Sequence, residues 1–239
     1  MHVLDDLAGF SDRARELLTR SAWRDPAAPG PVPTDLLRVP ARHGRTVPAP
    51  TELVVRREAF RARYHGLRYE VRRSALAGRT RHDLVRRWEF DLDDGIWADR
   101  RGWYFSWTGE RVSSPVRSLV HTDGRVGVSD GGPFAEVAPS VAHMIEGHAL
   151  MDAVSSWDPW PGALEAWAPT AAGVALADRV EGLGVVPEAS GRHDRWLWSD
   201  HVAVHEFRSW SSLRPRVRAV QMWTRGDEGR RRVEAALRG

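Results

Sequence analysis

Residues 103–152 read WYFSWTGERVSSPVRSLVHTDGRVGVSDGGPFAEVAPSVAHMIEGHALMD, and this stretch decides the fold. Trp103, Phe105 and Trp107 recur with a period of two, which marks a strand with one aromatic face and with Tyr104 and Ser106 opposite. Ser118 to Thr122 is an apolar strand, Asp123-Gly124 offers the two positive-φ positions of a tight hairpin turn, and Arg125 to Val128 is the return strand. Gly131-Gly132-Pro133 breaks the sheet, and Ser140 is then placed to cap a helix running to about Val154.

Outward from this unit, Leu67 to Val71 and Trp88 to Leu92 have strand composition, as do Val202 to Phe207 and Arg216 to Trp223. Ser11 is placed to cap a helix through about Ser21. A second helix fits Thr51 to Tyr64, where Val55, Ala59 and Ala62 recur at helical spacing, and Gly66 can end it in the left-handed conformation. Residues 25–50 carry seven prolines and read as a linker or wrapped loop. Ala171 to Val180 has helical character, and a basic helix from about Asp227 to Leu237 closes the chain. Helices and antiparallel strands without a βαβ rhythm predict an α+β fold, a mostly antiparallel sheet flanked by helices. Residues 1–160 form the expected main domain, and residues 161–239 an extension packed on it.

The chain has no lysine and no cysteine, so all 35 basic side chains are arginine. Thiol nucleophiles, cysteine zinc sites, disulfides, Schiff-base lysines and the phosphate-loop lysine are thereby excluded. The net charge of +3 hides an asymmetry: residues 1–90 carry a surplus of seven arginines over acids, residues 91–206 ten more acids than arginines, and residues 207–239 six more arginines than acids. An acidic middle between basic ends can steer a charged partner toward one face, or pair across the molecule's own surfaces. No secretory leader and no apolar run near the ~20 residues of a membrane span is visible, which makes the cytoplasm the expected location.

The approach Val47-Pro48-Ala49-Pro50, the helix end Phe60-Arg61-Ala62-Arg63-Tyr64-His65-Gly66-Leu67, the aromatic sheet and the helix Val141 to Met151, in that order, resemble the SUKH superfamily over residues 10–160. His65 stands where members often carry the first of two glycines. The resemblance implies an α+β sheet flanked by helices. It also implies a toxin as partner, since the bacterial members are largely immunity proteins that neutralise toxins delivered between cells. It brings no catalytic residue with it.

Individual residues each have a plainer reading beside the functional one. The Trp103, Phe105, Trp107 face reads first as core, and Trp157 and Trp160, set among prolines, read as a lid or as outward anchors. Asp91, Asp93 and Asp94 before Gly95 read as a solvated hairpin turn before a metal site. His143, Glu146 and His148 do not have the one-turn spacing of a helical zinc motif, and Ser129-Asp130-Gly131-Gly132 reads as a turn.

The expected function is that of a non-catalytic protein that binds a cognate toxin domain, such as a nuclease. The candidate contacts are Asp91, Asp93, Asp94, Trp103, Trp107, Asp130, Glu136, Trp157 and Trp160. No cofactor and no metal site are assigned. Two alternatives stand beside it: nucleic-acid binding through Arg214, Arg216, Arg218, Arg230, Arg231 and Arg232, and a metal-dependent enzyme using carboxylates and histidines.

Overall fold

The computed structural model describes every residue except 29, 31, 41–44, 78–79, 112–115, 162–177, 209–217 and 239. Period-two alternation of apolar residues builds its first sheet. Strands β1 (Trp23–Arg24), β4 (Leu67–Ala77), β5 (Thr80–Asp99), β6 (Gly102–Glu110), β7 (Arg117–His121), β8 (Val126–Ser129) and β9 (Ala135–Ala138) lie side by side in that order, each antiparallel to its neighbour. Between β1 and β4 the chain makes a small hairpin, β2 (Arg38–Pro40) with β3 (Thr46–Pro48), inside the stretch that the sequence reads as linker.

Three helices pack on the inner face. In α1 (Asp12–Ser21) the Ser11 hydroxyl accepts from the Ala14 amide, the expected cap. Helix α2 (Thr51–Tyr64) ends at Gly66, whose φ of +79° is the left-handed conformation foreseen for it. Helix α3 (Val141–Ala153) is capped by Ser140. Leu17, Leu18, Leu53, Phe60 and Ile145 from these helices meet Leu67, Tyr69, Val71, Phe90, Phe105 and Trp107 of the sheet in one buried cluster. Aromatic contact tightens it: the Phe60 ring lies 5.5 Å from Phe105 and 5.9 Å from Trp107.

The C-terminal region forms a second antiparallel sheet, β10 (Asp158–Pro159), β14 (Arg218–Thr224), β13 (Val202–Arg208), β12 (Asp194–Trp198) and β11 (Gly184–Val185), in that order. Alternation again assigns the faces. Val202, Val204, Val220 and Met222 turn to Val233 and Ala236 of α4 (Gly226–Arg238), while Trp196, Ala203 and Trp223 join the main core. Helix α3 therefore lies between the two sheets. Eight of its thirteen residues are buried, and a Cβ added at Gly147 would sit in ordinary contact with the Trp196 indole, 3.5 Å from its nitrogen.

The α+β expectation agrees with this architecture. The second sheet begins at Asp158, two residues inside the expected main domain. The hairpin turn also differs: His121 N donates to Arg125 O and Gly124 N to His121 O, so the loop has three residues, Thr122, Asp123 and Gly124, with Gly124 at φ +101°. Of the helical reading of Ala171 to Val180, residues 171–177 lie outside the described residues, and Asp178 and Arg179 are helical. No helix among the described residues is long and apolar enough to cross a membrane.

Candidate functional site

Strand β5 has 20 residues, and β4 flanks it only as far as Glu89. Beyond that point β6 pairs with one side, and among the described residues no strand covers the other. An open edge invites pairing with other chains unless charge or irregularity blunts it, and this edge has both. The register with β6 shifts between Leu92 and Ile96, which makes a bulge where the sequence reads a turn at Asp93-Asp94-Gly95. The Asp93 carboxylate accepts from the Gly95 amide at 2.7 Å and from the Ser106 hydroxyl. A Cβ on Gly95 would lie 2.1 Å from Ser106 Oγ, so a side chain there would displace the hydroxyl that bonds Asp93.

The same close approach puts Asp93 and the Trp97 indole on one outward face. Trp97 is 40% exposed, and the Arg117 guanidinium lies 4.1 Å from its ring centre. Asp94 and Asp99, on the same stretch of β5, are exposed. Asp99 accepts from the Tyr104 hydroxyl at 2.8 Å and from the Arg101 amide at 2.7 Å. Partial burial works against its charge, but these bonds win and hold its pKa below the usual carboxylate range. Burial, and then the Asp99 carboxylate, push Tyr104 up to about 12.

Only part of the expected contact set shares this rim. Asp91 is buried in a two-pronged ion pair with Arg68, which also reaches Asp25 at 3.4 Å. Trp103 is half-buried against the core, and Trp107, 2% exposed, lies 4.7 Å from Phe90. A ring packed on its own core cannot anchor a partner, so Trp107 leaves the contact set. Asp130 sits in the loop between β8 and β9, at the opposite end of the meander from the β5–β6 turn, where it accepts from the Gly132 amide. Glu136 is held by Arg125 at 3.1 Å.

Trp157 is buried 4.8 Å from the Trp198 ring, which corrects its reading as an outward anchor, and Trp160 packs against the second sheet's own core. The missed member is Trp97, whose neighbour Gly95 was a usable signal: a glycine inside a strand marks close approach.

The alternatives are placed as well. Arg214 and Arg216 lie outside the described residues, and the side chain of Arg218 is not described. On α4, Arg231 and Arg232 bond Glu228 at 2.6 and 2.9 Å and hold its pKa at about 2, while Arg230 lies 3.6 Å from Asp158. Among the described residues no three histidine, aspartate or glutamate side chains converge on a metal position. His143, His148, His193 and His205 do border one shared cavity between the two sheets, which the sequence did not suggest. His205 is sandwiched between Trp196 and Phe207, at 4.2 and 4.8 Å, and its Nε2 lies 2.5 Å from Asp194.

Comparison with protein-family models, curated proteins and solved structures finds no match.

Proposed function

We propose that this chain is a non-catalytic, protein-binding protein of the immunity type, which neutralises a cognate toxin domain in the cytoplasm by direct contact, in keeping with the SUKH-like reading of its sequence. The observation that carries the proposal is the β5 rim, where the exposed Asp93, Asp94 and Asp99 lie on the same stretch of strand as the 40% exposed Trp97, on an edge that no described strand covers. The carboxylates steer a basic partner such as a nuclease, and the indole supplies the apolar anchor once contact is made. Ser106, the Gly95 amide and Tyr104 hold two of these carboxylates in place before the partner arrives, which lowers the ordering cost of association.

The test is co-expression with the product of the adjacent reading frame, scored by growth. Cells are expected to grow with the native chain and to arrest with the Asp93→Lys, Trp97→Ala double variant, provided circular dichroism shows that the variant is folded. Arrest beside a soluble, folded native chain overturns the reading, and so does a neighbouring product that is harmless alone.

A further inference from the structure

The cavity between the inner face of the first sheet, α3 and the second sheet has a volume of about 280 Å³. An apolar cavity of ~150 Å³ already accepts a benzene ring. The walls here are mostly flat or apolar side chains: Trp88 from β5, Trp196 and Phe207 from the second sheet, and Met144 and Met151 from α3.

Three carboxylates border it and each has a partner: Glu110 pairs with Arg86 at 3.3 Å, Glu136 with Arg125, and Asp194 lies against the His205 imidazole. Arg73, which borders the same space from β4, donates no hydrogen bond and enters no ion pair with any described residue. Its surroundings combine two guanidiniums, Arg73 and Arg86, with one carboxylate, Glu110, which Arg86 already holds.

A half-buried guanidinium whose donors no described side chain accepts keeps them for a ligand, and it stays charged because arginine does not release its proton in proteins. His148 does not share its charge. Burial first, and the nearby Arg73 second, hold that imidazole's pKa at about 3, so at neutral pH it is uncharged, with its Nδ1 2.7 Å from the Tyr69 hydroxyl. One fixed planar cation facing aromatic walls matches an anion of one charge that accepts two parallel bonds, and a carboxylate is that anion.

We propose that this cavity binds a flat organic monocarboxylate, with its carboxylate on Arg73 and its ring in the space that Trp88, Trp196, Met144 and Met151 border. The site is separate from the β5 rim and stands whether or not the rim binds a toxin.

Calorimetric titration of the folded, full-length chain with 2-naphthoate, 2-naphthamide and inorganic phosphate tests it. The acid is expected to bind in the millimolar range or tighter, as ~13 heavy atoms allow, and at least tenfold more tightly than its neutral amide or phosphate. Arg73→Gln should abolish that preference, Arg73→Lys should retain part of it, and the His148 imidazole signal should move in the NMR spectrum as the acid binds. No binding, equal binding of acid and amide, or a preference for phosphate overturns the proposal. Should Arg73→Gln fail to fold, the acid-to-amide ratio and the His148 signal on the native chain decide the matter.

Discussion

Helices α3 and α4 have thirteen residues each and opposite arrangements of charge. Helix α4 buries Gly229, Val233 and Ala236 on one stripe and leaves its arginines and acids toward water. Helix α3 lies between two sheets and buries Glu146 and Asp152 with its apolar residues. Each buried acid makes long-range bonds: Glu146 accepts from the Ser11 amide at 2.8 Å and its hydroxyl at 2.5 Å, while Asp152 accepts from Arg20 at 2.6 Å and from the backbone and guanidinium of Arg72. Charge on α4 serves solvation, and charge on α3 ties the layers together. The same enclosure that makes α3 structural also creates the cavity beside it.

The contrast breaks most visibly at Asp152. Asp152→Ala leaves two guanidiniums and the Arg72 amide without their acceptor, and urea unfolding should show a loss of about 3 kcal/mol, the low end for a broken buried pair because both arginines are partly exposed. Glu146→Ala removes both bonds to the start of α1 and should cost about 2 kcal/mol in the same measurement, with α1 amides exchanging faster.

His148 sharpens the comparison through pH. Its imidazole stays neutral in the folded chain down to about pH 3, whereas an unfolded histidine takes up a proton near pH 6.5. Below that value the unfolded state binds more protons, so stability falls on acidification by roughly 1.4 kcal/mol per pH unit until about pH 3. Urea midpoints compared at pH 7.5 and 4.5 should fall more for the native chain than for His148→Asn. The smallest effect belongs to α4: Glu228→Ala removes solvent-exposed ion pairs, and its melting temperature should match that of the native chain. A loss there equal to that of Asp152→Ala would erase the distinction between the two helices.

Legibility in the sequence follows how local the cause is. The bounds of α2 are marked by Pro50 before it and Gly66 after it, and the structure begins and ends the helix where the spacing predicts. The Ser11 and Ser140 caps and the α4 stripe are local in the same sense. Asp93-Asp94-Gly95 has turn composition but sits in a bulged strand, because Ser106 on the next strand supplies a partner that no local window contains. Strand β12 and the short β9 escaped notice for a related reason: each is ordered mainly by the strands beside it. The helical pattern of α3 carries little sidedness, since a helix enclosed by two sheets has no wet face to mark.

Among the candidate residues, Asp93 and Asp94 were legible as exposed acids, whereas the burial of Trp107 and Trp157 and the exposure of Trp97 were not. An indole has the same composition in a core and on a rim.

By itself the sequence determined the α+β class, the inward ring face of the strand that carries Trp103, Phe105 and Trp107, the helix ends and the chemistries that a chain without cysteine or lysine lacks. These rest on backbone periodicity, turn residues and side-chain inventory, all of which act over a few residues. Only the tertiary structure decided which carboxylates remain exposed, that Arg72 and Arg20 meet Asp152 across 80 and 132 residues, and that Arg73 borders a cavity with aromatic walls without an ion pair to any described residue. Those outcomes depend on how two sheets close over α3, and no short stretch of chain encodes that closure.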